Sequence, residues 1–91
     1  MESKKNIERS FRSEKVCSLS RFPSGLCGTV VDVAAEAQLQ GRLMGMGLFI
    51  GTRFQLLQNG TRTSRTPFLL AIGETRIAIG WDIAEQILVE P

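Results

Sequence analysis

The stretch Gly45-Met46-Gly47-Leu48-Phe49-Ile50-Gly51 carries three glycines in seven residues. Such spacing can let backbone amides close on a phosphate. A dinucleotide fingerprint, G-x-G-x-x-G, follows a strand and opens a helix. Here Ile50 stands where the third glycine belongs, and Gly51 comes one residue late. The context is also reversed: helical periodicity precedes the glycines and strand periodicity follows them. A phosphate would therefore meet the negative end of a helix dipole. These residues argue against a nucleotide site and for a structural corner.

The other residues capable of chemistry are few. The sequence has no histidine, so the commonest general base and nitrogen metal ligand are both missing. Cys17 and Cys27 lie too far apart for C-x-x-C or a zinc pattern. They read as free thiols, with Cys27 a small buried hydrophobe. Asp82 and Glu85 are three residues apart. That spacing suits a helix N-cap with a capping-box partner better than an acid–base pair or a ligand set. Glu74 reads as a turn residue. No catalytic residue, metal ligand or cofactor is expected.

The elements that position these residues come from length, charge and periodicity. A chain of 91 residues suggests one domain. Its apolar runs, such as residues 68–72, are too short to cross a bilayer, and its N-terminus lacks the apolar stretch of a signal peptide. A cytoplasmic location is expected. Residues 1–15 carry a net charge of +2 and residues 16–91 balance six arginines against six acids. The first segment reads as a flexible basic arm and residues 16–91 as the domain. Nucleic-acid binders concentrate basic charge on a folded surface, so the neutral domain points away from nucleic acid. Only Trp81 and five phenylalanines are available for base stacking, and most of the latter fall at core-facing positions.

Residues 22–25 read as a turn. Residues 28–34 form a β-branched strand with Val31 and Val33 on one face. In residues 36–46, Ala35, Leu39, Leu43 and Met46 mark one helical face. Residues 52–58 alternate again, with Phe54 and Leu56 on one side. Asn59-Gly60 is a turn signal opening a polar loop that ends at Pro67. In that loop Arg62 and Arg65 read as solvated, with acidic partner surface the functional alternative. Residues 68–72 and 75–79 form a hairpin across Gly73-Glu74. A short helical turn, capped by Asp82, then leads to a last strand at 87–90. Trp81 reads as a cover on the end of the barrel, with partner anchoring the functional alternative. Five short strands with tight turns suggest a small closed barrel, since closure removes exposed edges.

Within this frame each glycine of the corner has a role. Gly47 fits the left-handed residue past a helix end, with Leu48 packing back on Leu43. Gly51 fits the third position of a type II turn over residues 49–52. Gly45 leaves room for close approach of another element. On the helix face opposite the core, Ala37, Gly41 and Met44, with Gly45 beside them, carry no charge where a solvated face should. These four are the candidate partner-binding residues. A cover from the 59–66 loop or the N-terminal segment, and self-association through the same patch, are the alternatives.

The pattern Leu19-x-x-Phe22-x-x-Gly25-x-x-Gly28-x-Val30, then Leu39-x-x-x-Leu43-x-x-Met46-Gly47-Leu48-x-x-Gly51, then Ala84-x-x-Ile87-x-Val89 resembles the FeoA family, ferrous iron transport protein A. Phe22 replaces a usual leucine, and Ile50 stands where the family often has proline. The resemblance implies a mainly β fold: a small SH3-like barrel of five to six strands with a short helical insertion and one short helical turn before the last strand. It implies a non-enzymatic cytoplasmic accessory that binds and modulates FeoB, the ferrous-iron transporter with a cytosolic GTPase domain. Contact with the membrane would come only through that partner. The same barrel resembles a domain of iron-dependent repressors. A module that binds nucleic acid or acts as a metal-dependent regulator is therefore the alternative function.

Overall fold

The structure, a computed structural model, describes residues 15–91. The arm expected at residues 1–15 lies, but for Lys15, outside the described residues. From there the chain runs through β1 (Cys17–Ser18), a 3-10 turn (Leu19–Arg21), β2 (Cys27–Val33) and helix α1 (Ala37–Gly45). It continues through β3 (Arg53–Gln58), β4 (Phe68–Ile72), β5 (Thr75–Ile79), the single-turn helix α2 (Trp81–Ala84) and β6 (Ile87–Glu90). The six strands form one antiparallel sheet in the order β1-β6-β2-β3-β4-β5. The fold is thus mainly β with a helical insertion and a helical turn before the last strand, as the sequence predicts.

The sheet wraps around one core cluster fed by every strand from β2 to β6. Phe54 and Leu56 of β3, Phe68 and Leu70 of β4, Ile77 and Ile79 of β5 and Ile87 and Val89 of β6 all point inward. Strict alternation of apolar residues places each pair on one face. The hydrogen-bond ladder itself does not close: among the described residues, β1 pairs only with β6 and β5 only with β4. The expected closed barrel is therefore a wrapped sheet with two free edges.

Strand β2 departs from simple alternation. Val30 and Val33 are both buried, whereas Val31 is only half-buried. The register with β6 shifts between Val30 and Asp32. A bulge there adds one residue, which flips the parity of the strand and turns Val33 to the side already used by Val30. The expected sharing of one face by Val31 and Val33 is corrected accordingly.

Gly28 of β2 serves close packing. A Cβ there would lie 2.8 Å from Phe22 Cζ and 2.9 Å from both Phe54 Cζ and the Glu90 carbonyl oxygen. The Phe22 and Phe54 rings face each other at 5.5 Å between centroids, tilted by 59°. The larger ring at position 22 is thus accommodated directly above a residue with no side chain.

Helix α1 buries Leu43 and half-buries Leu39. Met46, expected on the same face, is instead the C-cap residue and 41% exposed. The helix ends one residue too early for Met46 to complete the stripe. No side chain caps the helix start at Glu36. Instead Gln40 Nε2 donates to the carbonyls of Val33 (3.0 Å) and Ala35 (2.7 Å), tying the first turn to the end of β2.

Candidate docking surface

The glycine-rich corner is built as a Schellman motif. The Gly47 amide donates to the Met44 carbonyl and the Leu48 amide to the Leu43 carbonyl, each at 2.9 Å. Gly47 has φ +93°, a conformation that costs a residue with a Cβ roughly 1–2 kcal/mol. Leu43 and Leu48 are both buried in the core cluster, as the hydrophobic contact of this cap requires. Gly51 has φ +95°, and the Thr52 amide donates to the Phe49 carbonyl at 3.0 Å. Both glycine roles read from the sequence are realised.

Thr52 locks the corner. Its hydroxyl donates to the Gly47 carbonyl at 3.1 Å and accepts from the Phe49 amide at 3.2 Å. The Gly51 amide donates to the Val30 carbonyl (2.7 Å), and the Val30 amide to the Thr52 carbonyl (2.9 Å). A buried threonine thus joins the helix end, the turn and strand β2, so the residues on the turn are held firmly.

What this rigid corner presents is apolar. Met44, Phe49 and Ile50 are 59%, 45% and 63% exposed. With Val33, Leu48 and Gln40 they line a groove of about 250 Å³ between α1 and the turn. Asp32 also lines the groove, its carboxylate accepting from the Val33 amide at 2.8 Å.

All four predicted partner-binding positions, Ala37, Gly41, Met44 and Gly45, are exposed, but only Met44 reaches the groove. A Cβ at Gly41 or Gly45 would meet no atom within 4 Å. The close approach expected at Gly45 has no counterpart within the described chain. Phe49 and Ile50 were legible only as turn residues. The signal that they face outward is that two large apolar side chains occupy the first half of a turn.

A second concavity lies at the other end of the sheet. A cleft of about 700 Å³ opens between the 59–67 loop and α2. Trp81 stands in its wall, half-buried, with its ring 5.8 Å from that of Phe68. The ring covers the core there, as expected of it. The capping box does not form: Gly80 is the N-cap, no side chain caps the helix, and Asp82 sits within the first turn. Glu85 instead accepts from the Ser20 hydroxyl at 3.4 Å and ends the helix. The Asn59-Gly60 turn is corrected too. Gly60 is needed because a Cβ would lie 2.5 Å from the Phe68 ring, and the loop turns later, where the Thr61 amide donates to the Thr66 carbonyl at 2.8 Å.

Both cysteines are free thiols, but Cys27 is not the buried hydrophobe expected of it. Cys27 is exposed, while Cys17 packs against the core. Burial pushes the Cys17 thiol pKa above its usual value, opposed in part by the charge of Arg21. Among the described residues, no three Cys, Asp or Glu side chains gather as a metal-ligand set. No described helix is long and apolar enough to cross a membrane.

Comparison with known proteins adds the following. The family model described as the FeoA domain matches residues 17–91. The fold is similar to the crystal structure of an iron uptake regulatory protein (FeoA), at 30% identity and a TM-score of 0.70 over 82% of this chain and 95% of that one. It is similar to the FeoA protein of Chlorobium tepidum, at 27% identity and a TM-score of 0.68 over 80% of this chain and 68% of that one. A manganese-dependent transcriptional repressor shares the fold at 22% identity and a TM-score of 0.72, over 82% of this chain and 41% of its own. No curated protein matches the chain in sequence.

Proposed function

The chain belongs to the FeoA family, and from that premise we propose that it is a non-enzymatic, cytoplasmic accessory of ferrous iron uptake that docks on the cytosolic domain of a FeoB-type transporter and modulates its GTPase. The family match supports the link to iron uptake. The observation that carries the docking reading is the exposed apolar surface of Met44, Phe49 and Ile50 on a corner held by Thr52. Large exposed apolar residues gathered in one place mark interaction surfaces. Gly41 and Gly45 add to this. Each weakens the helix by about 0.5–1 kcal/mol relative to alanine, and nothing within the described chain requires their missing side chains. A partner element approaching closely along Ala37, Gly41 and Met44 gives them a purpose.

Burying Met44 alone contributes roughly 1.5–3 kcal/mol to such a complex. The test is a pull-down of the transporter's cytosolic domain by the full chain, with and without guanine nucleotides, using Met44→Glu and Gly41→Arg singly. Both positions are exposed, so both variants should fold. Loss of binding in both supports the surface. Retained binding in both moves the docking surface elsewhere. A shift to monomer in the variants, with the parent a dimer, would assign the patch to self-association.

A further inference from the structure

The cleft beside Trp81 is not used by the corner surface and lies on a different part of the sheet. One wall is the 59–67 loop, which contributes Thr61, Arg62, Arg65 and Thr66; the other is α2, with Trp81 and Asp82. Three features make it more than a gap between loops. The loop is braced from within: the Ser64 hydroxyl bonds to those of Thr61 and Thr66, and the Thr61 amide donates to the Thr66 carbonyl. Arg65 has φ +61°, and it is the one described non-glycine residue with positive φ. Arginine has no local reason for that conformation, and such strain gathers at ligand and recognition sites. Finally, Trp81 is backed by Phe68 at 5.8 Å, so its ring is held against the core while it lines the cleft.

We propose that this cleft is a second docking point, which receives an acidic segment of the same protein partner. The proposal rests on the docking reading above. Two guanidinium groups on a braced loop present flat donor forks that match carboxylates. A fixed tryptophan supplies the apolar anchor typical of protein interfaces. The chemistry favours a carboxylate-bearing peptide over a nucleic acid. Asp82 in the wall repels a continuous phosphate backbone, a single aromatic ring gives one stacking platform, and residues 16–91 carry no net charge. A peptide needs only one or two carboxylates in register with Arg62 and Arg65, with its remaining atoms over Trp81.

Trp81 is the sole tryptophan of the chain, so its emission reports this cleft alone. The full chain is titrated with a short, otherwise uncharged acidic peptide bearing two carboxylate side chains and one leucine. The controls are a Lys-rich peptide of the same length and a single-stranded oligonucleotide. The variant is Arg62→Ser with Arg65→Asn. Asparagine tolerates positive φ better than arginine does, so the loop keeps its shape while both charges go. Expected is a saturable emission change with the acidic peptide only, weakened about tenfold in the variant and by added salt. The same variant should weaken binding to the transporter's cytosolic domain, whereas Met44→Glu should leave the peptide titration unchanged. Tighter binding of the oligonucleotide than of the acidic peptide overturns the proposal in favour of nucleic acid. Undiminished binding of the variant to the cytosolic domain overturns it while leaving the functional reading intact. If the parent chain fails to bind that domain, the functional reading falls, and the peptide titration decides the cleft alone.

Discussion

Replacing Gly28 by alanine tests the packing of the core most directly. The new methyl would lie 2.8–2.9 Å from two ring atoms and one carbonyl oxygen, where ordinary contact begins at 3.4 Å. Each neighbour must therefore retreat by about 0.5–0.6 Å. None has an easy direction. Phe22 and Phe54 are buried against each other, and Glu90 is held opposite Thr29 in the sheet. Overpacking of this kind costs about 1–3 kcal/mol, and three simultaneous clashes place Gly28→Ala at the upper end. Alanine also restricts the unfolded chain, which returns about 0.4–1 kcal/mol. The net loss is roughly 2 kcal/mol, or about 8–16 °C in melting temperature for a domain of this size. Thermal unfolding followed by circular dichroism measures it. Phe22→Leu in the Gly28→Ala background removes one of the three clashes, so the pair should destabilise by less than the sum of the two single changes. A melting temperature for Gly28→Ala at or above the parent's would refute the close approach of the rings. Strict additivity would show that Phe22 is not the neighbour that matters.

Gly47→Val should cost more than Gly47→Ala, and at least about 1–2 kcal/mol, because a β-branched residue resists positive φ; equal melting temperatures for Gly47→Val and the parent would contradict the corner. A chain begun at Val16 should melt within a few degrees of the full chain, since the core cluster of the described residues runs from Leu19 to Val89; a large drop would mean that the removed arm packs on the domain. The Cys17 thiol pKa is raised in the fold, so the folded state holds the proton more tightly than the unfolded one. The stabilisation this gives is fully present below the ordinary thiol pKa and is lost as pH rises through the folded value, and Cys17→Ala should flatten that alkaline decline in denaturant titrations. Exposed Cys27 should react with a thiol reagent before Cys17 does at neutral pH; the reverse order would contradict their placement.

The corner was readable because its demands are local. A helix end, a positive φ and a following leucine are all set within a few residues, and Gly47, Leu48 and Gly51 stand as expected. The strands were readable for the same reason, since alternation is a property of neighbours. What the sequence concealed depends on distant partners. Val33 turns inward because its strand bulges within the ladder it forms with β6, a strand more than fifty residues away in sequence. Gly28 and Gly60 are glycines because of aromatic rings elsewhere in the chain. Asp82 and Glu85 have the spacing of a capping box, but Gly80 begins the helix two residues earlier and the box cannot form. Of the candidate surface, the uncharged helix face was legible from its periodicity. Its continuation through Phe49 and Ile50 was not, because periodicity has no meaning within a turn.

The strand order has a consequence for how the domain comes together. Strands β3, β4 and β5 are consecutive in sequence and adjacent in the sheet, with β4 and β5 joined across two residues. Strand β6 sits between β1 and β2, and its pairing of Ile87 with Val33 closes a long stretch of chain. By loop-closure entropy that step costs roughly 2–3 kcal/mol more than forming a short hairpin. The meander can therefore assemble early, while β6 arrives late and completes the core with Ile87 and Val89. Until it does, β2 offers its outer edge to any passing strand. Contacts made by β6 then govern how fast the finished domain opens more than how fast it forms. The lifetime of the folded protein is then governed by the contacts of β6, away from the glycine-rich corner.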